Sequence, residues 1–308
     1  MELKTFKSDF ILLITASIWG FAFVAQRMGM DHVGPFTYNG VRFALGGVSL
    51  LPFLLVGLTK KKGRIPVVEG PDLPEILRGG ILSGLILFCG SSLQQVGLVY
   101  TTAGKAGFIT GLYVILVPVL GLLWKQRAGT GTWIGAVMAA VGLYFLSVTE
   151  QMTVSFGDVL ELIGAVFFAL HVIVIGRLSQ RIDTVSLSFV QCMLCSVVSI
   201  AVAFAFETVS LSGIWRGALP IFYGGVFSVG IAYSLQIYGQ KDSPPAHAAI
   251  LLSLESVIAA IGGWLILNEF LSGRALAGCV LMMSGMLVSQ LYTYLIPKKK
   301  TVETRSMG

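Results

Sequence analysis

Between Asp9 and Leu295 the chain divides into ten apolar stretches, each close to the length that crosses a bilayer once. Roughly 20 helical residues span the hydrocarbon. The stretches run near Asp9–Gly29, Phe36–Leu58, Ile76–Leu98, Ala103–Trp124 and Gly131–Val148, then near Phe156–Leu178, Thr184–Phe206, Gly217–Gly239, Ala246–Leu267 and Gly273–Leu295. Helix breakers sit in the gaps: Pro35, the Lys60–Gly63 run, Pro71, Pro74, Ser243-Pro244-Pro245 and Pro297. With 12% charged residues, 55% hydrophobic residues and a mean hydropathy of +0.85, the chain has too little polar surface to coat a water-soluble body. Backbone facing lipid has no water to bond, and runs this rich in Leu, Gly and Ala lack the alternation of barrel strands. The expected fold is therefore an all-α membrane protein of ten transmembrane helices.

Basic residues near span ends stay in the cytoplasm. With the N-terminus inside, the cytoplasmic segments collect 16 of the 21 Lys and Arg residues: Lys4, Lys7, Lys60, Lys61, Lys62, Arg64, Arg78, Lys125, Arg127, Arg177, Arg181, Lys241, Lys298, Lys299, Lys300 and Arg305. Only Arg27, Lys105, Arg216 and Arg274 fall on the other side, and Arg42 lies inside a span. Both termini are expected to be cytoplasmic, in a bacterial-type cell (inner) membrane. The net charge of +6 then reports topology rather than nucleic-acid binding. Eight residues precede a first span that is too long for a signal-peptide core and has no small-residue cleavage site, so it is expected to double as the insertion signal. Cys89, Cys192, Cys195 and Cys279 all lie within spans; without accompanying Cys or His pairs they read as packing residues rather than metal ligands.

The chain also matches itself. At an offset of 142, Leu93-Gln94-Gln95-Val96-Gly97 meets Leu235-Gln236-Ile237-Tyr238-Gly239, and Ala106, Leu112, Gly121 and Leu123 meet Ala248, Leu254, Gly263 and Leu265. One extra residue brings Gly135, Val137 and Gly142 onto Gly278, Val280 and Gly285. An offset of 149 pairs Asp9 with Asp158, Ala16 with Ala165, Trp19 with Phe168 and Arg42 with Gln191. The implied units are 1–150 and 151–297, each of five spans, followed by a basic cytoplasmic tail at 298–308. Five is odd, so the second unit enters the membrane upside down, which is the inverted repeat of secondary transporters. Gly80/Gly84, Gly107/Gly111 and Gly131/Gly135 place small residues on helical faces, where they permit close packing.

A charge in hydrocarbon costs about 2.5–3.5 kcal/mol on insertion scales, so each intramembrane polar residue is informative. Glu255 lies about nine residues into span nine, roughly 13 Å at 1.5 Å per residue and near the midplane. It reads either as a proton- or cation-handling group or as a hydrogen-bonded structural carboxylate. Its repeat counterpart is Tyr113, a candidate cavity wall. Arg42 is shallow enough to snorkel or to pair with Glu161 or another carboxylate near the outer face, which favours a structural or gating role over substrate contact. His171 is a relay candidate or a hydrogen-bonded packing residue. Gln94, Gln95 and Gln236 can each offer a donor and an acceptor to a polar solute. As repeat mates, Gln94 and Gln236 are expected toward opposite membrane faces. Trp19 and Tyr233 are candidate cavity walls. Ser243-Pro244-Pro245 opens span nine as a cap followed by first-turn proline, and Thr101-Thr102 opens span four. Lys105 and His247 then occupy matching first turns, where a cation opposes the helix dipole and is expected to reach water or an anion.

Ala16-Ser17-Ile18-Trp19-Gly20, the run from Tyr100 to Leu112 (YTTAGKAGFITGL) and Leu252-Ser253-Leu254-Glu255-Ser256-Val257 together resemble the drug/metabolite transporter superfamily, in particular its ten-helix EamA-type proteins built from two five-helix repeats. Asn268-Glu269 looks like that family's glycine-glutamate with Asn for Gly, and Ser256 stands where the family usually has proline. The resemblance covers Asp9 to Leu295. It implies export of small metabolites, amino acids or drugs through a central cavity, with spans five and ten peripheral.

The expected function is secondary active transport of a small-molecule substrate, with export favoured and import the alternative; an intramembrane lipid-processing protein is the opposing class. No Walker A loop, HExxH pair, GxSxG elbow or potassium-type filter is present in the sequence, and His32, His171 and His247 are scattered. No enzymatic activity and no cofactor are expected. Beyond substrate and bilayer, protons are candidate co-substrates and a second copy of the chain a candidate homodimer partner. Reporter domains fused after Thr59 and after Gly308 are both expected to report cytoplasm; a periplasmic signal from either overturns the charge-derived topology.

Overall fold

A computed structural model describes residues 2–62, 73–125, 128–147, 155–270 and 272–295. The basic tail at 298–308 lies outside them. The described residues form helices and contain no strand. In chain order these are α1 (Glu2–Gly29), α2 (Pro35–Lys62), α3 (Leu73–Gly97), α4 (Ala103–Gly111), α5 (Tyr113–Leu123), α6 (Thr130–Ser147), α7 (Phe156–Leu178), α8 (Thr184–Phe206), α9 (Leu211–Arg216) and α10 (Ala218–Phe222). A π-helix at Tyr223–Ala232 follows, then α11 (Tyr233–Gly239), α12 (Pro245–Leu252), α13 (Glu255–Leu267) and α14 (Gly273–Leu295). Eight helical stretches are long and apolar enough to cross a membrane, and shorter apolar stretches at Thr130–Gly142 and Leu276–Ser289 accompany them.

Polarity is arranged oppositely to that of a soluble domain. Large apolar side chains such as Phe53, Phe204, Phe206, Trp215 and Leu219 are exposed on the outside, while Asn39, Arg42, Gln95, Glu161, Gln191 and Glu255 are buried. A hydrocarbon solvent rewards this arrangement, because polar groups that cannot find water must find one another.

α2 and α8 pack along each other, and α3 packs between α7 and α8. α1 lies against α11, α12, α13 and the π-helix, whereas α7 lies against α3, α4 and α5. Thus the first helix of each half packs mainly on helices numbered three and four of one half or the other, and the halves interlock. α6 and α14 form the most extensive pair, closed by two reciprocal glycine approaches. A Cβ on Gly135 would stand 2.6 Å from the Gly285 carbonyl oxygen, and one on Gly142 would stand 2.6 Å from that of Gly278. These four residues are the ones that the 143-residue offset exchanges, 135 with 278 and 142 with 285.

Two long apolar segments break at the same place. Leu112, between α4 and α5, has φ −60 and ψ −13; Leu254, between α12 and α13, has φ −62 and ψ −14. Both sit in a tightened, 3₁₀-like step: Leu112 N–H donates to the Ile109 carbonyl at 3.1 Å and Leu254 N–H to that of Leu251 at 3.3 Å. The residues before them supply the cause. Gly111 is a weak helix former, and the Ser253 hydroxyl bonds back to the Ile250 carbonyl at 2.8 Å, competing with the backbone ladder. Pro118 further weakens α5. Span eight departs from its partner: residues 223–232 are π-helical, whereas the equivalent part of α3 is ordinary helix.

Gly135→Leu is expected to push α6 off α14, at an overpacking cost of about 1–3 kcal/mol. Thermal unfolding in detergent checks this; a variant as stable as the parent contradicts the close approach.

Candidate functional site

The breaks in α4/α5 and α12/α13 bring the first residues of α5 and α13, Tyr113 and Glu255, to the wall of one cavity of about 40 Å³. α1 contributes Trp19, Phe23 and Gln26; α2 contributes Arg42; α3 and α4 contribute Gln94 and Thr110. α7 adds Phe168 and His171, and the π-helix and α11 add Ser228, Tyr233 and Gln236. None of the lining residues comes from α6, α8 or α14, so the helices corresponding to spans five and ten stand away from the cavity.

All seven substrate or coupling candidates read from the sequence (Glu255, Tyr113, Trp19, His171, Gln94, Gln236 and Tyr233) therefore line this one cavity, and Arg42 joins them. Gln94 and Gln236 reach the same space although they come from opposite halves. Gln26, Thr110 and Ser228 were not singled out: small or amide side chains in an apolar helix carry no signal until the fold shows which way they face. Gln95 is fully buried, and both its amide atoms lack a protein partner.

The aromatic wall is held by specific contacts. The Trp19 indole N–H donates to the Ser228 carbonyl of the π-helix at 3.1 Å, and its ring lies 4.9 Å from that of Tyr233. Tyr233 also meets Phe43 at 6.1 Å and the His171 ring edge-on at 5.9 Å. His171 Nε2 bonds Gln191 Oε1 at 3.0 Å, so its ring is fixed by a neutral partner. Glu255 is 3% exposed, and Tyr113 is its neighbour in the wall.

Arg42 does not pair with Glu161, contrary to the option read from the sequence. Its Nε donates to Asn39 Oδ1 at 2.9 Å, and its guanidinium stands 5.4 Å from the Tyr38 ring and 5.1 Å from the Phe43 ring. Glu161 instead accepts from the Thr110 hydroxyl at 3.1 Å, and that hydroxyl accepts from Gln94 Nε2 at 3.1 Å. In the other half the equivalent positions are Leu12, Leu252 and Gln236.

Lys105 and His247, the gating or structural candidates, lie away from the cavity lining. Lys105 Nζ meets Asp158 Oδ2 at 2.6 Å, and His247 Nε2 meets Asp9 Oδ1 at 3.1 Å. The offsets of 142 and 149 convert one pair into the other, so the basic side chain in each helix's first turn has an aspartate partner. The caps differ between halves. Thr102 accepts from Lys105 N–H at 3.2 Å, and Glu269 accepts from the N–H groups of Ala103 and Gly104 at 3.0 and 3.1 Å. The expected Ser243 cap is not formed: Pro244 is the cap residue and Pro245 the first helical residue, and Pro245 offers no N–H where Ala103 does.

The EamA-like transporter family profile matches residues 6–148 and again 155–290. An uncharacterized transporter of Archaeoglobus fulgidus is 31% identical over 94% of this chain and 87% of its own length. The uncharacterized inner membrane transporter YedA of Escherichia coli K12 is 24% identical over 92% of this chain and 91% of its own, and YoaV of Bacillus subtilis 168 is 22% identical over 88% and 92%. A solved crystal structure with 20% identity has a TM-score of 0.74, covering 94% of this chain and 98% of that one, so the fold is shared. Two family matches that together take in nearly all the apolar helices, and the 31% relative, lead to one conclusion: this multi-pass membrane chain belongs to the EamA-like transporter family.

Proposed function

We propose that the protein is a secondary active transporter that exports a small metabolite by alternating access to the central cavity. Ten crossings in two inverted five-helix units, 1–150 and 151–297, carry it, with both termini cytoplasmic. The observation that carries this reading is one shared cavity, which draws Gln94 and Tyr113 from the first half and Gln236 and Glu255 from the second at register-equivalent positions. A site assembled from both units can be reached from either face as the units rock.

Further contacts support it. The Lys105–Asp158 and His247–Asp9 pairs tie α4 to α7 and α12 to α1, where inverted units place opposite ends of the access path. Breaks at Leu112 and Leu254 let each wall helix bend beside the solute. Charge asymmetry of the loops sets the orientation. Aromatic walls with three amides suit a small solute of mixed polarity. No enzymatic step is assigned, and Glu255 acts as the ionisable group that senses or carries charge during the cycle.

Cells overproducing the protein are expected to release at least one small solute several-fold faster than cells producing Glu255→Gln, as read by unbiased profiling of the medium. That solute is then expected to show counterflow in liposomes containing the purified protein. Identical media, or chemical change of lipid without solute exchange, defeats the transporter reading. In the same liposomes Glu255→Gln is expected to flatten the pH dependence of counterflow; normal production with an unchanged pH profile makes Glu255 a packing residue.

A further inference from the structure

We propose that Arg42 is the solute-binding cation of the cavity and that the transported solute carries a carboxylate, which the open edge of the Arg42 guanidinium takes. Arg42 is 3% exposed and lines the cavity. Its one hydrogen bond is from Nε to Asn39, so both terminal amino groups are without a protein acceptor, and among the described residues no carboxylate lies within ion-pair distance. A guanidinium presents paired N–H donors in a planar fork that matches a carboxylate, and desolvation without a counter-ion is costly. Here the fork is aimed rather than loose. Asn39 Nδ2 donates to the Ser91 carbonyl at 3.0 Å, which turns its Oδ1 toward Arg42 Nε, and the Tyr38 and Phe43 rings flank the guanidinium.

Packing alone does not require the charge. The register-equivalent residue of the other half is Gln191, equally buried and bonded to His171. One half thus fills the position with a neutral side chain whose carbonyl is satisfied, and the other with a cation whose outer edge is open. Glu255 in the same wall disfavours a second negative end, so the fitting solute has one carboxylate and hydrogen-bond donors elsewhere. Gln26 Oε1 and Gln236 Oε1, both buried without a protein donor, line the cavity to receive them.

This inference rests on the transporter reading, but its test uses equilibrium binding. Purified protein in detergent is heated with acid/amide pairs of equal shape: lactate with lactamide, benzoate with benzamide, phenylalanine with phenylalaninamide. A bound solute raises the melting temperature by mass action. At least one acid is expected to bind about tenfold or more tightly than its amide, and Arg42→Gln, which copies the other half, is expected to abolish that preference while leaving amide binding unchanged. His171→Gln is expected to keep the preference, which separates the guanidinium from the imidazole of the wall even if Arg42→Gln fails to fold. No acid preference in any pair of the wild type, or a preference that survives in folded Arg42→Gln or vanishes in folded His171→Gln, overturns the proposal. Acid binding in a protein that shows no counterflow leaves the oxyanion site standing and removes the transporter reading instead.

Discussion

Hydrocarbon offers a buried polar group no water, and this one condition orders the whole molecule. It forces the backbone into helices that satisfy their own N–H and C=O groups. It also turns Arg42, Gln94, His171, Gln236 and Glu255 inward, where they meet around one cavity. In a soluble protein a buried guanidinium beside two aromatic rings would be a costly exception. In this solvent the interior is the most polar place within reach, so the cavity is where such groups go.

Much of this was legible beforehand because it depends on composition and period. The positions of the long apolar spans and the matched placement of Asp9/Asp158 and Lys105/His247 follow from the sequence and its self-match, whereas the breaks at Leu112 and Leu254 do not. The partners did not. Lys105 and His247 had to reach an anion or water, but only the packing of α4 on α7 and of α12 on α1 shows that the two matched aspartates answer the two matched cations. Arg42 went the other way. Its depth suggested a gate or a snorkelling anchor, since depth says nothing about azimuth, and azimuth decided that it faces the cavity. The π-helix was invisible as well, because its residues have the same apolar pattern as the α-helical turns of α3.

The departures from symmetry are more informative than the symmetry. Equivalent contacts such as Gly135–Gly285 and Gly142–Gly278 maintain the scaffold, and duplication alone explains them. Where the halves differ, a chemical need intrudes. Glu269 caps the free N–H groups of α4, whereas α12 begins on prolines that remove one such group and need less. Glu161 and Thr110 stand where the other half has Leu12 and Leu252, placing a fully buried carboxylate beside the Thr110 hydroxyl of the cavity wall. Tyr113 faces Glu255 in register, and Arg42 faces Gln191, so one ionisable group from each half is retained and the opposite copy is neutral.

That division has a mechanical consequence. If both halves carried the same charges, rocking one against the other would bring like charges into a cavity with little water to screen them. Arg42 on α2 has no carboxylate within ion-pair distance among the described residues. A solute with one carboxylate then balances the guanidinium when it enters. Trp19 and Tyr233 of the same wall are tied to the π-helix and to His171, so movement of the eighth span would shift this aromatic wall. Under the proposed alternating access, binding and helix rearrangement are linked through the same few side chains.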